Sequence, residues 1–207
     1  MQAARGTPLT EGQPAEPGPS RPRSRLLLFV VVALTAYAID VATKIVAVAS
    51  IEPGERIEVL GPVLSLTMVR NPGAAFSSAT GLTIGLTMLS ICVLAAVLWF
   101  ARRIASPLWA VGLGALAGGV GGNLTDRLLR SPGPFEGHVV DFLALPNWPV
   151  FNFADIFINV AAVTIVLQSL RGVRLDGTRE RDHQEPGTEE PAAPGEPAGT
   201  ADEGAES

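Results

Sequence analysis

Four long apolar stretches, separated by polar segments, set the plan of this chain. The first, "LLLFVVVALTAYAIDVATKIVAVA" (residues 26–49), runs 24 residues with two charges. The second, residues 81–100, has none, and the third, residues 107–124, is apolar but rich in glycine. The fourth, residues 150–170, opens on the polar turn "FNFAD" and is largely apolar thereafter. A helix needs roughly 17 or more apolar residues to cross the hydrocarbon core, and each stretch reaches that length. The pattern predicts an all-α membrane protein, a four-transmembrane-helix bundle. The first stretch is too long for the core of a secretory signal and lacks its small-residue cleavage site, so it reads as a retained span.

Between the first two spans, "ERIEVLGPVLSLTMVRNPGAAFS" mixes β-branched and apolar residues with two breaks, Gly61-Pro62 and Asn71-Pro72-Gly73. Short strands joined by turns follow, giving a small sheet at the membrane surface. Residues 1–25 are rich in Pro, Gly and small side chains, and residues 171–207 in Glu, Pro, Gly and Ala. Neither buries enough apolar surface to offset the entropy of ordering, so both read as disordered tails around a membrane domain at 26–170. Arginines orient that domain. Arg21, Arg23 and Arg25 precede the first span, Arg102 and Arg103 separate the second from the third, and Arg171, Arg174, Arg179 and Arg181 follow the fourth. The positive-inside rule then puts both termini and the 101–106 loop in the cytoplasm. Segments 50–80 and 125–149 lie outside, so the sheet is extracytoplasmic.

Charge changes this picture little. The formal net charge is -5, but residues 183–207 hold seven acids and no Lys or Arg, so the tail sets the sign. The inventory of reactive groups changes it more. Cys92 is the only cysteine and sits in an apolar run, which excludes an intramolecular disulfide. His138 and His183 are the only histidines, too few for a His/Cys metal cage. No metal or other cofactor is expected.

Ionisable side chains within spans are rare and are functional candidates. Here they gather toward one edge of spans one, three and four. Asp40 and Lys44, the only lysine, are four apart on one helical face. They make an ordinary ion pair, or Lys44 is the base of a Ser/Lys hydrolase with Ser50 or Ser77 as nucleophile. In span three, Gly114, Gly118 and Gly122 repeat every four residues and invite a close helix neighbour. "GNLTDR" follows, placing Asn123, Asp126 and Arg127 at the outer edge as a local surface pair or as a scaffold for a site. Asn152 and Asp155 have the spacing of a capping box, and an acid suits a helix's first turn. A cap does not require Asn159, which continues the same face. Asp141 stands in "HVVDFL" among apolar neighbours. It caps a short outer helix, pairs with Arg127 or Arg130, or has its proton held by desolvation. Two such acids brought together share one proton and titrate as a unit. The pair can hold a water, activate it with the ionised carboxylate, and protonate a leaving amine from the neutral one.

"DVATK", "NPGAAFS", "GGVGGNLTDR", "GHVVDFL" and "FNFAD" occur in an order and topology that resemble the lipoprotein signal peptidase (signal peptidase II) family, over residues 26–170. The resemblance implies an aspartic endopeptidase of the bacterial plasma membrane, with its site facing outside. Its substrates would be prolipoproteins whose cysteine carries diacylglyceryl, cut on the N-terminal side of that cysteine. It implies Asp141 and Asp155 as the catalytic pair, supported by Asp40, Lys44, Asn71, Gly73, Asn123, Asp126, Arg127 and Asn152. Within that set, Asn71 and Arg127 are expected on substrate backbone, Asn123 and Asn152 on the dyad, and Asp126 on Arg127. The expected partners are the lipidated precursor and the bilayer, with no nucleic acid, and a monomer can supply the whole site. Two other readings compete. A small transporter would use the acids for cations or protons, and a glycine-packed scaffold would give them no chemistry.

Overall fold

The computed structural model describes residues 22–73 and 80–179. The expected disorder of residues 1–21 and of most of the tail therefore falls outside the described residues, as does Ser77, whereas residues 22–25, expected in the disordered arm, form the first turn of a helix. Four helices and three strands appear among them: α1 (Pro22–Ser50), β1 (Ile57–Leu60), β2 (Leu64–Asn71), α2 (Thr80–Ala101), α3 (Pro107–Leu129), β3 (Val139–Ala144) and α4 (Phe153–Leu170).

Helix α3 is the spine, and its glycines are the reason. A methyl on Gly114 would lie 2.8 Å from the Phe29 carbonyl, and one on Gly118 would lie 2.5 Å from that of Ala33. One on Gly122 would collide with the Asp40 carboxylate. The stripe spaced by four thus lets α1 lie against α3 backbone to backbone. On the other face a methyl on Gly119 would lie 2.7 Å from the Ala154 carbonyl, and one on Gly112 3.0 Å from the Thr164 side chain, so α4 approaches as closely. Helices α1, α2 and α4 are each long and apolar enough to cross a membrane. Helix α3 is not among them, because glycine and its closing polar turn dilute its hydropathy. It faces protein rather than lipid along much of its length, with Ala110, Leu113, Ala117, Val120 and Leu124 all buried. The large apolar side chains of the other helices point outward: Leu34, Val46, Leu89, Trp99 and Val163 are each more than half exposed.

The expected sheet forms as a three-stranded antiparallel sheet in the order β1-β2-β3. The stretch carrying Asp141 is its third strand, not the start of a short outer helix. All six residues of β3 are buried. Ala47 and Ile51 of α1's end form a small core with Val140, Phe142 and Leu143 beneath the sheet. β3 then folds back: Phe142 N and Leu143 N donate to the Phe151 carbonyl, and Phe151 N returns to Leu143 O. This short return fixes where α4 begins. A second core, with Phe29, Val97, Ile104, Ala110 and Leu113, closes the opposite end of the bundle. There the chain continues past α4 in an ordered turn. Val173 bridges Arg179, and Trp109 Nε1 donates to Val173 O at 3.0 Å. Residues 172–179, which the sequence assigns to the tail, are thus tied to the start of α3.

Candidate active site

Two acids come together where β3 meets α4. Asp141 reaches the site because Val69 faces it in the β2–β3 register, which places Asn71 diagonally across on the same face. Asn71 Nδ2 donates to Asp141 Oδ2 at 2.7 Å. Gly73, at φ +122°, completes that turn by donating its N–H to Asn71 Oδ1 at 2.8 Å. A side chain at Gly73 would be strained and would meet Leu86, so this turn needs glycine.

Asp155 arrives through helix capping. The Asn152 side chain accepts from Asp155 N at 3.1 Å, and Asp155 Oδ2 accepts from Asn152 N at 3.1 Å, the full capping box. Asn152, wholly buried, also serves the other acid: its Nδ2 donates to Asp141 Oδ1 at 2.6 Å and to Asn123 Oδ1 at 3.2 Å. Asn123 Nδ2 in turn donates to Asp155 Oδ1 at 3.1 Å. One amide residue therefore grips both acids, and a second braces it. Asn159, exposed on the next turn, donates to the Asp155 backbone carbonyl. Asp141 and Asp155 line one cavity of about 530 Å³ with Asn71, Asn159, Trp148 and Ile156. Burial pushes the Asp141 carboxyl up to about 6. The nearby Asp155 adds to the rise, while the Asn71 and Asn152 bonds oppose it.

Behind this pair lies a buried ionic hub. Lys44 is 1% exposed, and its ammonium has three protons to give. They meet Asp40 Oδ2 at 2.7 Å, Asp126 Oδ2 at 3.1 Å and Asn123 Oδ1 at 2.8 Å. With the ammonium held among Asp40, Asp126 and Asn123, and Ser50 exposed at the end of α1, nothing here favours Lys44 as a serine's base. The hub reaches the acids through backbone. Asp40 Oδ1 accepts from Ala154 N at 2.8 Å, and Asp126 Oδ2 from Val140 N at 3.1 Å. Each hub carboxylate thus holds the amide directly before one acid of the pair.

Asp126 does not hold Arg127, as the sequence suggested. Neighbours on a helix point about 100° apart, and Asp126 pairs with Lys44 and with Arg130 one turn on. The i,i+4 spacing of Asp126 and Arg130 is the sequence signal of this pair. Arg127 is buried, and its Nη1 has no hydrogen-bond partner. Its carbonyl accepts from Gly137 N at 3.1 Å, which ties the loop before β3 to α3. The cavity lip at Trp148, Pro149 and Val150 carried no sequence signal beyond its prolines. Among the described residues no three His, Cys, Asp or Glu side chains converge as metal ligands would.

Long apolar helices and an acid pair at their edge, Asp141 buried and Asp155 partly so, describe a multi-pass membrane enzyme. Comparison with known proteins agrees. The family model for signal peptidase (SPase) II matches residues 32–171. A lipoprotein signal peptidase of Rhodococcus jostii is 49% identical over 166 residues, 80% of this chain and 83% of that protein. One from Mycobacterium avium is 46% identical, covering 79% and 91%. A solved bacterial membrane enzyme, 27% identical, superposes with a TM-score of 0.60 over 72% of this chain and 94% of its own. This chain belongs to the signal peptidase II family and is a membrane peptidase.

Proposed function

We propose that this peptidase removes signal peptides from prolipoproteins whose cysteine carries diacylglyceryl, by aspartic catalysis at Asp141 and Asp155. The observation that carries the reading is the sharing of Asn152, whose side chain bonds Asp141 and whose backbone N–H bonds Asp155, at the wall of one cavity. The names of its relatives support the substrate class. The cavity's membrane-side lining of Ile156, Ile158 and Val160 suits a lipid-anchored chain.

In this mechanism the scissile amide rests between the two acids. The ionised carboxylate takes a proton from a bound water as its oxygen attacks the carbonyl carbon, while the neutral carboxyl gives its proton to the carbonyl oxygen, so the product is a tetrahedral diol. The carboxyl that took the water's proton then passes it to the cysteine nitrogen, the other carboxylate takes a proton back from the diol, the C–N bond breaks, and the signal peptide leaves as an acid. Asp141, whose proton is held by burial and by its neighbour, suits a pair that keeps one proton. Asn71, Asn123 and Asn152 hold the carboxylates in place, and Arg127, with a free buried donor, lies ready for a substrate carbonyl.

Helix α3 serves as the fourth span, its glycine faces covered by α1 and α4. Both termini lie in the cytoplasm of a bacterial plasma membrane, by the arginine distribution, and the acids face outside. Residues 26–170 suffice for catalysis as a monomer. The test uses the purified full chain in lipid with one precursor in two forms. Cleavage on the N-terminal side of the cysteine is expected only when that cysteine is diacylglycerylated. Equal cleavage of the unmodified precursor would refute the substrate assignment.

A further inference from the structure

A second cavity, also about 530 Å³, opens at the end of the bundle away from the acids. It is bounded by Phe100 at the end of α2, Arg103 in the α2–α3 connection, Trp109 in the first turn of α3, Ser169 in the last turn of α4, and Arg174 and Asp176 of the turn beyond. The 23 residues of α3 separate it from the Asp126 end by about 30–35 Å, one bilayer core.

The cavity is built rather than incidental. Trp109 Nε1 clamps Val173 O at 3.0 Å, and Ala105 N donates to Leu175 O at 2.9 Å, so the turn after α4 is closed over the α2–α3 connection. Its one acid is folded into that turn: Asp176 Oδ1 accepts from Thr178 N at 3.0 Å and from Thr178 Oγ1 at 2.7 Å. Arg103 is exposed and forms no ion pair among the described residues. Arg102, Arg171 and Arg179 stand nearby in sequence, so the surroundings are cationic. The adjoining surface is apolar: Trp99 is 64% exposed, Phe100 42% and Leu170 80%.

We propose that this cavity binds the phosphate headgroup of an anionic phospholipid, with the acyl chains lying along the exposed ends of α2 and α4. Arg103 supplies the charge, Ser169 a hydroxyl, and Trp109 and Phe100 the amphipathic wall that sits at headgroup depth. A cationic cavity bordered by exposed apolar side chains matches an amphiphile better than a water-soluble acidic segment.

Native mass spectrometry of the full chain, titrated with phosphatidylglycerol, phosphatidylcholine or glycerol 1-phosphate, tests the site. Phosphatidylglycerol should be retained over phosphatidylcholine by roughly fivefold for each arginine its phosphate meets. Arg103→Gln should cut that preference by a similar factor while leaving precursor cleavage unchanged. Equal retention of the two lipids, or a preference that survives Arg103→Gln, overturns the proposal. Displacement of the lipid by equimolar glycerol 1-phosphate also overturns it, by reducing the site to a phosphate pocket without lipid recognition.

Discussion

Two groups of carboxylates, all buried but the half-buried Asp155, lie side by side in this protein, and they are satisfied in opposite ways. In the hub, Asp40 and Asp126 face Lys44 and Arg130, cation against anion. At the cavity, Asp141 and Asp155 receive hydrogen bonds from Asn71, Asn123 and Asn152, and no cation comes within ion-pair distance among the described residues. A carboxylate neutralised by a lysine has given its charge to the fold. One buried with no cation in contact holds its proton more tightly, and burial, with Asp155 beside it, pushes Asp141 up to about 6 against the pull of its amide bonds. Chemistry is expected at the second group and rigidity from the first.

The sharpest way to break this contrast is to unload the hub. Lys44→Met leaves two buried acids without their shared ammonium and should cost about 3–5 kcal/mol of stability. Denaturant or thermal unfolding in detergent measures it. A loss below about 1 kcal/mol would mean that the hub is not what holds α1 to α3.

The second lever is pH. The folded pKa of Asp141 lies above the ordinary 3.8, so the folded state binds the proton more tightly than the unfolded chain does. The contribution of Asp141 to stability is full below about pH 4 and is lost as pH rises through about 6. The span is roughly 3 kcal/mol at 1.36 kcal/mol per unit. Wild type minus Asp141→Asn, followed by unfolding between pH 4 and 7, isolates it. A difference that stays flat across this window would place Asp141 among the neutralised acids.

The third and smallest effect concerns the frame that both groups share. Gly118→Ala drives a methyl to 2.5 Å from the Ala33 carbonyl and 2.6 Å from Ala36 Cβ. It should cost about 1–3 kcal/mol, read as a lowered melting temperature. An unchanged melting temperature would show that α1 and α3 have slack the hub does not need.

Much of this was legible in the sequence. Helices α1 and α2 emerged within a few residues of where apolar length put them, and "NPG" marked the turn that ends β2. Asn152 and Asp155 announced a capping box because cap chemistry is local. Less legible was whatever depends on a partner far along the chain. β3 was obscure because a six-residue strand buried on both faces has no alternation to read. Helix α3 runs five residues beyond its apolar stretch, to Leu129, since Asp126 is met by Lys44 and Arg130 and tolerates burial there. The Asp40–Lys44 pair looked self-contained. Its reach to Ala154 and Val140 depends on contacts 114 and 14 residues apart in sequence, which no local pattern reveals.

The central claim is that Asp141 and Asp155 work as one catalytic pair. The most direct measurement is single-turnover cleavage of a lipidated precursor by Asp141→Asn and by Asp155→Asn, each first confirmed to be folded by its helical signal. Asparagine keeps the shape of the side chain but cannot take or share the proton. Each variant should therefore lose at least about 10³-fold in rate, and the double variant should be scarcely slower than either. Either single variant retaining more than about a tenth of the wild-type rate would contradict the claim.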